Sequence, residues 1–361
     1  MEDSFAEQIV PGTFIRVQAE GLIAPKGVSF GNVGIVGTAA AAVGAPSNAL
    51  GATHIIGSME DAAKLYGASD ALSAGTLNLM RALSLLFANG ARTVYSHGVA
   101  TGATNTVFDT AVAELLKEDV NILIAPELST TNAKLVLQPA LETAENSGRD
   151  MISVIGADAA TPTLIKAQVT ANKRVLLATP GVRVYDGAAD AMVTLPGNYT
   201  AAAVAGLIAS LAPQSSPTNK VLPGVVELGR RYSYGELKDL LNGNVCPLED
   251  RQGIRVVRGI TTEGAAFSQI TTRRIVDFAK AGIRQVSGAF IGRLNNDRVR
   301  KALRGAIDSF LTTMVIDEAL TGYQLEVTAT RADEIAGRCV VNVSMQPTFS
   351  IDYIRVTLAL S

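Results

Sequence analysis

"VNILIAPELSTTNAKLVLQPALETAENSGRDMISVIGA", residues 120–157, decides the fold class. It opens on a short apolar run, "VNILIAP", and closes on a second, "DMISVIGA". Between them "NAKLVLQPALETAENSG" has helical spacing and stops at Gly148. Two buried strands joined by a helix lie parallel, and a parallel strand needs cover on both faces, so it reads as unbroken apolar sequence. The same pattern extends outward in both directions. "RVLLATP" (174–180), "RTVYSHGV" (92–99) and "VGIVGT" (33–38) read as further strands. "SMEDAAKLYG" (58–67) reads as a helix with Ser58 at its N-cap, Asp61 three residues on, and Gly67 at its end. "LNLMRALSLLFANG" (77–90) is a longer helix, also closed by glycine. The expected fold is α/β, with a mostly parallel sheet covered on both sides.

Both ends of the chain depart from this pattern. In "PGTFIRVQAEG" (11–21), Ile15, Val17 and Ala19 alternate with Arg16, Gln18 and Glu20, which is strand periodicity. No turn and return follows, so its partner strand is expected far along the chain or in another molecule. Beyond Leu195 the character becomes α+β. A small-residue helix, "GNYTAAAVAGLIASLAP", is followed by a Pro/Ser/Asn-rich loop and then by two amphipathic helices. The first is expected to bury Ile275, Phe278, Ala279, Gly282, Ile283 and Val286. The second, "DRVRKALRGAIDSF" (297–310), sets Val299, Leu303, Ala306 and Phe310 against Arg300, Lys301 and Arg304, with Arg298 beside them. Two or three strands close the chain. In the last, "FSIDYIRVTLALS", the apolar alternation shifts phase between Tyr353 and Ile354, which predicts a bulge or two buried faces.

The chain has 361 residues and a formal net charge of −2, yet residues 270–304 carry nine Lys or Arg against Asp277 and Asp297, a local +7. Such segregation points to a partner with a negative surface. Nucleic acid fits poorly, because the basic stretch has no interleaved aromatics for stacking on bases. With 48% hydrophobic and 18% charged residues the chain is an ordered globular protein. Its longest apolar run, Ala201–Ala212, is too short to enter and cross a bilayer, and the N-terminus has no basic-then-apolar leader. Cys246 and Cys339 are read as reduced, buried thiols. His54 and His97 are the only histidines, which leaves no multi-histidine metal site, and neither CxxC nor HExxH occurs. Gly31, Gly34 and Gly37 read GxxGxxG within a strand, a poor match to a dinucleotide loop, and neither GxxxxGK[ST] nor GxSxG is present. Glu60–Asp61 and Asp333–Glu334 read as surface or capping carboxylates. No catalytic, cofactor-binding or metal residue is assigned, and no cofactor is expected.

Six stretches, in this order, resemble the sheath proteins of contractile tails, a family that includes phage, pyocin and injection-system sheaths. They are "PGTFI" (11–15), "VGIVGTA" (33–39), "SMEDAAKLYG" with "LSLLFANGARTVYSHGV" (83–99), "LPGNYTAAAVAGLIASL" (195–211), "LKDLLNGNVCPLEDRQGIRVVRGITT" (237–262), and the segment from "TTRRIVDF" to "FLTTM" (271–314). The chain departs from the family pattern in having Glu263 after Thr262 and no Trp in "RVRKALRG".

The resemblance implies a mixed-sheet, multidomain subunit with extended terminal arms. Residues 1–25 would be an N-terminal arm and 26–250 an α/β domain, with about 104–195 as an outer, insertion-like subdomain. Residues 251–361 would be a tube-facing C-terminal domain ending in a β-arm. It implies a non-enzymatic structural protein that stacks as hexameric rings around an inner tube and contracts from a metastable extended state to drive that tube through a cell envelope. Its partners would be itself, the inner tube protein, and baseplate and terminator proteins, with no nucleic acid and no membrane insertion. Its place would be a virion tail or injection particle assembled in a bacterial cytoplasm. Arg298, Arg300, Lys301 and Arg304 would contact the tube, with Arg273 and Arg274 as runners-up. Phe14, Ile15 and Val17 would pair between subunits, as would Ile351, Tyr353, Ile354, Val356 and Leu358. A non-contractile tail or tubule protein and an α/β enzyme with an unrecognised site are the alternatives.

Overall fold

The computed structural model describes residues 28–67, 77–187 and 190–359. In chain order its first elements are β1 (Val33–Thr38), β2 (Thr53–Ile56), α1 (Met59–Tyr66), α2 (Leu79–Ala88), β3 (Val94–Val99), α3 (Asn105–Leu115), β4 (Ile122–Ile124), α4 (Thr130–Asn146), β5 (Ile152–Gly156), α5 (Pro162–Ala167) and β6 (Val175–Thr179). Then follow β7 (Val182–Asp186), β8 (Ala191–Thr194), α6 (Thr200–Ser210), β9 (Glu227–Leu228), α7 (Tyr234–Asn242), β10 (Cys246–Asp250) and β11 (Ile254–Val256). The C-terminal part comprises α8 (Ile270–Gly288), α9 (Asp297–Ile316), β12 (Leu320–Thr328), α10 (Arg331–Ile335) and β13 (Val340–Pro347).

An eight-stranded sheet in the order β11-β10-β6-β5-β4-β1-β3-β2 forms the α/β unit. Its neighbouring strands are parallel from β10 through β3, and only the two edge strands, β11 and β2, run antiparallel. The inner strands are buried almost throughout, as their unbroken apolar sequences require. One face packs against α1, α2 and α6, the other against α3, α4, α5 and α7. Helix α6 lies between α2 and the sheet, so every residue from Thr200 to Ala209 is buried and the helix has no polar side. Gly206 makes that approach possible, since a Cβ there would sit 2.4 Å from the Leu86 carbonyl oxygen. The caps read from sequence hold: the Ser58 hydroxyl accepts from the Asp61 amide, and α1 ends at Gly67.

Residues 104–195, expected as an insertion-like subdomain, instead supply β4, β5 and β6 at the middle of the sheet. The α/β unit also runs past residue 250, because β11 pairs with β10. The C-terminal unit is the α8–α9 helix pair covered by the antiparallel β12–β13 hairpin. Burial alternates along both hairpin strands, and Tyr323, Leu325, Val327, Val341, Val343 and Met345 face the helices. Gly282 of α8 receives the Phe310 ring of α9. Cys246 is buried, which pushes its thiol up to about 12, whereas Cys339 is exposed, against the expectation of two buried thiols.

Among the described residues, no strand follows β13. Residues 348–359 run without secondary structure beyond β13, so the phase shift at Tyr353–Ile354 is not a bulge in an internal sheet. The N-terminal arm, with Phe14, Ile15 and Val17, lies outside the described residues.

Candidate functional site: the assembly surfaces

The charge surplus of residues 270–304 resolves into two unlike groups. Parallel register sets Ser153 opposite Val175, so Arg174 stands just before β6 beside the start of β5, where Asp150 precedes that strand. Helix α8 crosses this end of the sheet and brings Asp277 against it. Arg174, 2% exposed, donates through Nε to Glu145 at 2.9 Å, through Nη2 to Asp150 at 2.7 Å and through Nη1 to Asp277 at 2.7 Å. Arg273 meets the other oxygen of Asp277 at 2.5 Å, and its guanidinium lies 4.4 Å from the centre of the Phe267 ring. Lys280 and Arg284 reach Asp150 at 2.5 and 2.6 Å. These contacts form a charged clasp between the α/β unit and the C-terminal helices.

The clasp carboxylates respond to two opposing effects. The Arg174 hydrogen bond, with Lys173 in support, holds Glu145 down to about 2. Burial pushes Asp150 up, but Lys280, Arg284 and Arg174 outweigh it and hold the carboxyl below its ordinary value. Burial likewise opposes the charge on Arg174, and the Glu145 and Asp277 carboxylates reverse that.

Arg273 and Arg274 were expected as alternative tube contacts, and the structure corrects this. They are 3% and 6% exposed, and both are engaged inside the subunit. Arg274 donates to the carbonyls of Leu211 at 2.8 Å, Ala212 at 3.1 Å and Phe30 at 3.3 Å, satisfying the end of α6, and burial without a carboxylate lowers its pKa to about 10. Arg300 is partly turned inward: 16% exposed at its side chain, it bonds Glu334 of α10 at 2.9 Å and Asn295 at 3.0 Å. The outward basic residues of α9 are thus Arg298, Lys301 and Arg304. Lys301 bridges to Asp297 at 2.8 Å along its own helix while staying largely exposed.

The terminal segment presents the opposite chemistry. Ile351, Tyr353, Ile354, Val356 and Leu358 are 72–85% exposed, the least covered run of large apolar side chains among the described residues. A monomer gains nothing by leaving such a run in water, and an extended apolar strand without a partner is an open template for pairing. Sequence pattern found this segment. It missed Arg174, Asp150 and Glu145; the only visible signal was charge beside an apolar strand for the first two and at the end of a helix for Glu145.

The chain thus combines a three-layer α/β unit with a helix pair, a hairpin and an apolar tail that nothing in the subunit covers. Solved structures with this fold include sheath proteins. The anti-feeding prophage helical sheath in its contracted state superposes with a TM-score of 0.75 at 18% identity, covering 98% of this chain and 99% of that one. The sheath complex of the extracellular contractile injection system PVC, also contracted, gives 0.74 at 18% identity, with 98% of both chains covered. A sheath tail protein from Listeria innocua gives 0.71 at 15% identity, covering 92% and 94%. By sequence alone, no curated protein matches the chain. Family models do: the phage tail sheath protein central domain matches residues 101–262 and the phage tail sheath C-terminal domain residues 262–361. The chain belongs to the phage tail sheath family.

Proposed function

We propose that this chain is the repeating subunit of a contractile sheath, stacking as hexameric rings around an inner tube and shortening from a metastable extended state to drive that tube through a cell envelope. Its role is structural, with the energy of contraction stored when the rings assemble. The observation that carries the reading is the apolar tail, in which Ile351, Tyr353, Ile354, Val356 and Leu358 have no cover in the subunit. Those residues, with Phe14, Ile15 and Val17 of the N-terminal arm, pair with the sheet edges of neighbouring copies. The β12–β13 hairpin, two strands with open outer edges among the described residues, is a receptive site for such pairing.

Arg298, Lys301 and Arg304 form the contact with an acidic tube surface. The contact is weak per subunit and screened by salt, which lets the sheath template on the tube and later release it. Baseplate and terminator proteins bound the stack at its two ends, in a particle assembled in a bacterial cytoplasm.

Electron microscopy of the purified chain, alone and with its tube protein, tests both contacts. Hollow tubes from the chain alone and sheathed tubes with the partner are expected. Charge reversal at Arg298 and Arg304 should abolish sheathing of the tube and leave self-assembly intact. Fully sheathed tubes from that variant would remove the basic face from the tube contact. A compact monomer under all conditions would overturn the sheath reading itself.

A further inference from the structure

The backbone of the tail is held inside the subunit as far as Asp352, although the Ile351 side chain is exposed. The Thr348 amide donates to the Ala319 carbonyl at 3.1 Å, extending the β12–β13 ladder by one bond just before β12. Two residues on, the side-chain amide of Gln269 serves Ser350 as a neighbouring strand would. Its Oε1 accepts from the Ser350 amide at 3.1 Å and its Nε2 donates to the Ser350 carbonyl at 3.2 Å. Gln269 stands at the N-cap position of α8 with its side chain turned away from the helix amides, and its backbone is bridged to Ile260.

Asp352 completes the fastening. Its Oδ2 accepts from Arg258 Nε at 2.7 Å and from Gln269 Nε2 at 3.0 Å. Its Oδ1 accepts from the Ser350 hydroxyl at 3.2 Å and, more weakly, from Thr218 at 3.5 Å. The Asp352 side chain is 5% exposed, and the next residue, Tyr353, is 72% exposed, with the Arg258 guanidinium 5.5 Å from its ring centre. A nearly buried carboxylate with four donors, in a segment that is otherwise open to water, is an ordered anchor. Its partners come from both units: Thr218 and Arg258 from the α/β side, Gln269 from the start of the C-terminal helices.

We infer that Asp352, held by Arg258 and Gln269, is the positioning residue that fixes where and in what direction the C-terminal tail leaves the subunit to reach a second copy. The inference rests on the proposed function of that tail. With the clamp open, the four residues 349–352 join the free segment that otherwise starts at 353. At roughly 3.3 Å per extended residue this adds about 13 Å of reach. Local concentration at the receiving edge falls by about twofold from length alone. Loss of the fixed exit direction adds to that at every subunit joint. The clamp therefore confines the tail to a few receiving positions instead of a sphere of them.

The test uses the full chain and two readouts. Hydrogen exchange on dispersed subunits should show residues 348–353 exchanging at least about tenfold faster in Asp352→Ala, with the sheet and helices α8 and α9 protected as in the parent. The protein concentration giving half-maximal assembly, read by sedimentation and microscopy, should rise at least about threefold. Asp352→Glu should recover part of both changes. If Asp352→Ala fails to fold, Gln269→Ala, which leaves the carboxylate paired with Arg258, reads the same two quantities. Faster local exchange with unchanged assembly would overturn the inference, and so would unchanged exchange. A chain lacking 353–361 separates the two levels of argument. If it assembles like the parent, the tail is not an assembly arm and the proposed function of that segment fails. If it cannot assemble while Asp352→Ala assembles normally, only the clamp is wrong.

Discussion

Asp277→Ala puts the joint between the two units to its most direct test. The carboxylate accepts from Arg174 at 2.7 Å and Arg273 at 2.5 Å, and the three side chains are 10%, 2% and 3% exposed. The two arginines differ in what they have left. Arg174 keeps Glu145, Asp150 and the Met151 carbonyl, so its charge remains compensated. Among the described residues Arg273 keeps only the Phe267 ring, and its Nε has no hydrogen-bond partner there. Removing Asp277 strands one buried guanidinium, and breaking a buried pair in this way costs about 3–5 kcal/mol. If the stranded charge is the cause, Arg273→Met should cancel much of the damage. The double variant should then be about 2 kcal/mol more stable than Asp277→Ala, because a hydrophobic isostere replaces the uncompensated charge. The chain has no Trp, so urea unfolding is best followed by far-ultraviolet circular dichroism, at concentrations below assembly. A loss under about 1 kcal/mol for Asp277→Ala, or strictly additive single variants, would refute the reasoning.

Two carboxylates of the clasp predict acid sensitivity, and the third, Asp277, which burial pushes up, works against them. Glu145 and Asp150 sit below their unfolded values, so the stability they contribute is complete above about pH 4.5 and is lost as pH falls toward about 2. Urea midpoints measured stepwise through that window should fall more steeply for the parent than for Glu145→Gln; parallel curves would show that the pairing contributes nothing. Glu127 behaves in the opposite way. Burial pushes its carboxyl up to about 7 although the Thr38 amide and hydroxyl donate to it at 2.7 and 2.5 Å. A raised acid contributes stability that is full below its unfolded value and is lost as pH rises through 7, so Glu127→Gln should leave stability near pH 4 unchanged and raise it by about 2–3 kcal/mol at pH 8. Equal destabilisation at both values would place the cause in packing instead.

What was legible in the sequence is what burial writes into consecutive residues. Ile122–Ile124, Ile152–Gly156 and Val175–Thr179 are covered on both faces, so they read as unbroken apolar runs and announce a parallel sheet. Ser58 and Gly67 announce their helix because caps are local chemistry. Charge pairing is not local. Arg284 finds Asp150, and Arg174 finds Asp277, across more than a hundred residues, and nothing in a linear count couples them. The surplus of +7 between residues 270 and 304 therefore looked like an external surface, when Arg273, Lys280, Arg284 and Arg300 are spent inside the subunit.

That partition bears on how such a subunit can move. The buried part of the surplus fastens α8 to the end of the parallel sheet through Asp150, Glu145 and Asp277. Arg274 adds three hydrogen bonds to the end of α6 and the chain before β1. Opening this joint would leave several charges in a poorly hydrated gap, which costs more than breaking and remaking contacts at an exposed surface. A change between assembly states that keeps the clasp closed must therefore carry the α/β unit and helices α8 and α9 as one body. The strain of that change then falls on segments with no such fastening, and among the described residues the chain beyond Asp352 is the longest of these that lies at an end. On the proposed reading, rigid bodies joined by pre-aimed strands can repack their exposed faces, including Arg298, Lys301 and Arg304, without losing one another.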